Sequence, residues 1–125
     1  MAGQFTLGKD ERLKSRKQID ELFAKAQKFS SGSFRVLYLV TENKTPLSFG
    51  VAVSNKNFKK AVDRNRIKRL TREAWRLQKN ELKNELIARS SSLNLFLIYT
   101  AKALPVYIDV KENVQKILSR LLKNI

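Results

Sequence analysis

Two residue types are missing from this chain altogether. There is no cysteine and no histidine in 125 residues. Without thiols there can be neither a disulfide nor a thiolate metal site, which fits a reducing compartment such as the cytoplasm. Without imidazole, the commonest acid–base group near neutral pH is lost. No P-loop, nucleophile elbow or Cys/His cluster takes its place. Two pairs of adjacent acids, Asp10–Glu11 and Asp20–Glu21, could suggest a two-metal site. Neighbours on a helix point about 100° apart, however, so Asp20 and Glu21 are poorly placed to share an ion and read as solvated charges. Glycine (4) and proline (2) are scarce, and no repeat or low-complexity segment interrupts the chain, so one domain is expected. No apolar run approaches the ~20 residues that span a bilayer. The start, MAGQFTLGKDERLK, has no apolar h-region, so neither a membrane span nor a secretory signal is expected.

Acidic residues are few as well: 11 Asp and Glu stand against 26 Lys and Arg, a formal net charge of +15. Such an excess speaks to partners rather than to fold, and nucleic acid is the commonest partner. Residues 59–76, KKAVDRNRIKRLTREAWR, concentrate the charge. Lys60, Arg64, Lys68, Arg72 and Arg76 follow one another at i, i+4, while Ile67, Leu70, Ala74 and Leu77 make an apolar stripe. The segment reads as a helix with one face for a core and one for a polyanion. Steps of i, i+4 drift by about 40° each, so the basic row is a diagonal band. The opposite face is not broad and apolar enough to insert into a membrane surface.

The remaining pattern predicts the order helix, strand, strand, helix, strand, helix. Ser15 and Gln18 form a capping box for a first helix with Ile19, Leu22, Phe23 and Ala26 on one face, ending near Lys28 before a Ser/Gly loop. Phe34–Val40 alternates as a strand. After a turn at Asn43–Pro46, Leu47–Val53 alternates with small residues, and the two strands are expected to pair as an antiparallel hairpin. Residues 79–92 are polar and end in a serine loop, and Leu95–Tyr99 is a continuous apolar run, as in a strand buried on both faces. Asp109 and Glu112 open a last amphipathic helix. The sum is an α/β two-layer sandwich, with residues 1–12 a flexible tail and 13–125 a single RNA-binding domain.

The stretch VAVSNKNFKKAVDRNRIKRLTREAWR closely resembles the signature of the protein subunit of bacterial ribonuclease P. In that family a V-S/A-x-K segment at a strand end leads into a helix carrying R-N-R-x-K-R. Here Val53, Ser54, Lys56, Lys60, Ala61, Arg64, Asn65, Arg66, Ile67, Lys68, Arg69, Arg72 and Glu73 follow it in register. Weaker likeness covers most of residues 12–123. Ile19 stands where many members carry an aromatic residue, and Asn55 where a lysine is frequent.

The resemblance implies a small mixed sheet with three main helices and a left-handed βαβ crossover, against the general right-handed expectation. It implies a subunit without catalytic residues of its own, which binds a catalytic RNA, one protein per RNA. Together they remove the 5′ leader of precursor tRNA by Mg²⁺-dependent hydrolysis, with the chemistry and most of the Mg²⁺ held by the RNA. Lys56, Lys60, Arg64, Asn65, Arg66, Lys68, Arg69, Arg72 and Arg76 are then expected on the catalytic RNA, arginine being suited to bidentate phosphate contact. Their bland reading is a solvated charged face, or an ion pair of Arg69 with Glu73. Ile19, Phe23, Phe34 and Tyr38 would line a cleft between the first helix and the sheet for single-stranded leader, although residues at such spacing are also those of a core. Trp75 is expected to pack against the strand layer. The alternative reading is a small basic ribosomal or general RNA-binding protein, which would explain the charge but not the R-N-R-x-K-R register. A duplex DNA binder lacks helix-turn-helix spacing.

Overall fold

The computed structural model describes Leu13, residues 16–42 and residues 45–124. The expected tail at 1–12, the capping serine Ser15 and half of the turn at Asn43–Pro46 lie outside the described residues. Four helices and four strands follow one another as α1 (Arg16–Lys25), β1 (Gln27–Ser31), β2 (Phe34–Thr41), β3 (Leu47–Val53), α2 (Ala61–Gln78), α3 (Asn80–Ala88), β4 (Ser92–Tyr99) and α4 (Tyr107–Asn124).

The sheet runs β1-β2-β4-β3. β4 pairs antiparallel with β2 and parallel with β3. The expected β2–β3 hairpin is therefore corrected: the two strands do not pair, because β4 lies between them. The reason lies in the apolar run of β4, which is almost wholly buried. Such a strand belongs at the sheet centre, paired on both edges and covered on both faces. Joining parallel neighbours requires a crossover, and α2 with α3 supplies it.

Two elements were not expected. α1 stops at Lys25 rather than near Lys28, and Gln27–Ser31 forms a strand that pairs with β2 from Gln27↔Tyr38 to Ser31↔Phe34. Gly32 and Ser33 make its two-residue turn, with Gly32 at φ +57°. A positive φ at the first turn position is what a Gly-Ser hairpin turn needs. In the segment expected to be polar and irregular, Leu82 and Leu86 stand at i, i+4 and anchor α3 in the core.

Alternation divides the sheet residues between two faces. Phe34, Val36, Tyr38, Phe49, Leu95, Leu97 and Tyr99 join α2, α3 and α4 in the main core. Leu37 and Phe96 face the other way, where α1 covers them with Leu22, and Leu13 completes this second cluster. Leu13 also donates its N–H to the Phe49 carbonyl at 2.8 Å, which occupies part of the outer edge of β3. Trp75 is 1% exposed and stacks on Phe49 with ring centroids 4.5 Å apart, as its expected packing role requires.

Candidate nucleic-acid interface

α2 buries Ile67, Thr71, Ala74 and Trp75. The expected stripe is corrected at its end: Leu77 is 43% exposed, and Trp75 takes the core position instead. Thr71 is tolerated inside because its hydroxyl donates to the Ile67 carbonyl at 2.8 Å. With the core side so placed, the opposite side of α2 carries Asn65, Arg69, Arg72 and Arg76, spaced i, i+4, i+7, i+11. Asn65, Arg66, Arg69 and Arg72 are exposed, and Lys68 and Arg76 are half-buried.

The diagonal band of the sequence thus splits into different jobs. Arg64, near its start, is partly buried and donates through Nη1 to the carbonyls of Phe58 and Lys59, both at 2.8 Å. It ties the loop before α2 to the helix. The loop is held further by the Phe58 N–H to the Ser54 carbonyl (3.1 Å) and by Phe58 against Tyr99, centroids 6.0 Å apart. Lys56, Lys59 and Lys60 stay exposed on this anchored loop. Lys59 was not singled out from sequence, although it adjoins Lys60.

Arg76, at the other end, makes a two-point ion pair with Glu73, with Nε at 3.2 Å from Oε2 and Nη2 on Oε1. Glu73 has Arg76 as its salt-bridge partner, and not the Arg69 of the bland alternative. The Arg76 hydrogen bond holds the Glu73 carboxyl below its ordinary range, and the same bond pushes Arg76 upward. The pair leaves Arg69 and Arg72 as the exposed cations of the ridge.

The expected aromatic cleft is not assembled as such. Phe34 (1% exposed) and Tyr38 (7%) point into the main core, Phe34 edge-on to Tyr99 and Tyr38 edge-on to Phe29. The even positions of β2 face α4 and α2, so these two residues lie across the sheet from α1. Ile19 and Phe23 do lie on the α1 side. Phe23 is 44% exposed and stands edge-on to Phe96 at 5.6 Å. The register places Ser30, Arg35, Ile98 and Ala52 in one row on that same face, next to the Leu37–Phe96 row under α1. Ser30 and Arg35 are exposed, and Ile98 and Ala52 half-buried, so this row remains open. Phe96 and Arg35 could have been found by asking which strand positions share a face with Leu37. That question needed the strand order.

Among the described residues, no three acidic side chains gather at metal-ligand spacing. The described surface offers exposed cations on and before α2 and the part-exposed ring of Phe23. Arg76 with Glu73 and Arg89 with Glu85 form salt bridges on its helices.

Comparisons with known proteins give the family and the fold. The family model for ribonuclease P matches residues 7–123. The ribonuclease P protein component of Porphyromonas gingivalis (strain ATCC 33277) is 37% identical over 123 residues, covering 97% of this chain and 90% of the relative. That of Bacillus pumilus is 35% identical over 100 residues, covering 77% and 83%. Among solved structures, the Thermotoga maritima RNase P protein superposes with a TM-score of 0.68 at 24% identity, covering 88% of this chain and 96% of that one. The Staphylococcus aureus RNase P protein gives 0.68 at 18%, covering 89% and 94%. These two carry the fold. The chain belongs to the family of bacterial ribonuclease P protein components.

Proposed function

We propose that the outer ridge of α2 and the loop before it dock on the catalytic RNA, and that the open row beside α1 holds the precursor's 5′ leader. The observation that carries the first half is the division of α2 into a buried face and an opposite face bearing Asn65, Arg69 and Arg72, flanked by Arg66 and Lys68. Exposed guanidinium groups at these spacings meet successive phosphates with bidentate bonds. Arg64 supports this surface by fixing the loop that carries Lys56 and Lys60.

The second half rests on Phe23, 44% exposed and in a T-shaped contact with Phe96, whose row on the sheet is next to that of the exposed Arg35. A leader base stacks on Phe23 while Arg35 meets its phosphate. Stacking of this kind contributes about 1–3 kcal/mol per base and tolerates any sequence. In this reading hydrolysis and most of the Mg²⁺ belong to the RNA, as the family resemblance implies. The site of action is the cytoplasm, with one protein per RNA.

The test is precursor-tRNA cleavage at low Mg²⁺ by protein, a bacterial ribonuclease P RNA, and both together. Cleavage at the mature 5′ end only with both supports the assignment. Cleavage by the protein alone would overturn it. Phe23→Ala should weaken precursors that carry a leader and leave leaderless tRNA unchanged. Equal loss for both would remove the leader from this face.

A further inference from the structure

The other flank of α1 holds a groove of about 410 Å³, lined among others by Gln18, Glu21, Lys25, Leu39, Glu42 and Asn94. On α1, Gln18, Glu21 and Lys25 lie on the side of Leu22 away from Ile19 and Phe23. On the sheet, the groove follows the Leu39–Asn94 pair, one step beyond the Leu37–Phe96 row and opposite to the open row of Arg35. It is therefore a second place, separated from the leader surface by the helix itself.

Asn94 is the unusual member. It interrupts the apolar sequence of the central strand and is only 5% exposed. Its Oδ1 is buried and has no hydrogen-bond partner among the described residues. Leaving such an acceptor unmade is unfavourable, and an apolar residue of the same size would avoid the cost. The groove's remaining chemistry indicates what the acceptor meets. Two carboxylates and an amide offer further acceptors, Leu39 offers an apolar wall, and Lys25 supplies one cation at the rim.

We infer that this groove receives one unpaired nucleotide of the partner RNA and selects a base with an exocyclic amino group. Lys25 meets the phosphate, Leu39 the face of the base, and Asn94 Oδ1 with Glu21 or Glu42 accepts from the amino edge. Carboxylates repel phosphate, so they face the base and not the backbone. They accept from the amino group of cytosine as they do in grooved nucleic acids. The volume falls within the range of small-ligand pockets. The inference rests on the RNA-binding reading above and adds a base preference to it.

The test is site-resolved titration of the full chain with pentacytidylate and with pentauridylate, followed by NMR at the Asn94 side-chain amide and the Leu39 methyls. Pentacytidylate should shift both signals, at least about fivefold more tightly than pentauridylate, the lower end of what one good base contact discriminates. Asn94→Leu should abolish the difference. Glu21→Ala and Glu42→Ala, at exposed positions, should reduce it even if Asn94→Leu fails to fold.

Shifts at Arg35, Phe23 and α2 with none in the groove would overturn this inference and leave the broader reading standing. No shifts anywhere would overturn both. In the reconstituted enzyme, the variants distinguish the nucleotide's source. A fivefold loss limited to leader-bearing precursor assigns it to the leader, and the same loss in affinity for the catalytic RNA alone assigns it to that RNA. No loss in either would also overturn the inference.

Discussion

At the scale of single residues, position relative to the core decides what each cation of α2 does. Arg64 and Arg69 look alike in sequence, but one is tied to two carbonyls of its own loop and the other is exposed. Arg64→Ala should therefore lower the thermal unfolding temperature as well as RNA affinity, while Arg69→Ala should lower affinity alone. Calorimetry beside a binding titration checks this. Glu73 gives a pH-dependent reading of the same helix. Its folded carboxyl titrates below the ordinary value of 4.5 because Arg76 donates to it. The pair's contribution is thus present above the ordinary value and is lost as pH falls through the lowered one. Carboxyl NMR titration should find Glu73 below its free value, and Arg76→Ala should return it. Trp75→Ala removes a stacked partner from Phe49 at a fully buried position and should cost about 3–5 kcal/mol in urea unfolding.

At the scale of elements, the ridge of α2 acts as a unit. Replacing Arg66, Arg69 and Arg72 together by alanine should reduce the salt slope of RNA binding by about one per residue. The far-UV spectrum should not change, since none of the three is buried. How far such elements can be read from sequence depended on whether their signal was local. The periodicity of α2 and α4 and the double-sided burial of β4 are local, and they were legible. The Gly32–Ser33 turn was visible too, yet the strand before it has only Phe29 as a large apolar residue and offers little alternation to detect. α3 hid for a similar reason, with Leu82 and Leu86 the main anchors in a charged segment. The pairing of β2 and β3 could not be read locally at all. Five residues separate them, a hairpin length, and only competition from β4 for both edges keeps them apart. The same competition sends Phe34 and Tyr38 into the α2/α4 core and leaves Phe23 and Arg35 on the other face. The basic ridge was therefore readable in outline from the sequence, and the face beside α1 only through Ile19 and Phe23.

At the scale of the whole molecule, both clusters draw on the same inner strands, β2 and β4. Leu95 and Leu97 belong to the main core, and Phe96 between them to the cluster under α1. Neither half can lose its packing without disturbing β4, so unfolding should be a single transition. Trp75 fluorescence, which reports the main core, and far-UV dichroism should give coincident midpoints. Two separated midpoints would mean that α1 and its cluster melt independently. The placing of β4 has one more consequence, for how the protein is made. A chain leaving the ribosome releases β1, β2 and β3 early, but the strand that joins β3 to the rest is among the last to emerge. Domains fold as units during synthesis, and this one cannot close its sheet until β4 has followed β3, α2 and α3 out. Fragments from interrupted translation would carry the basic segment without the scaffold that orients it.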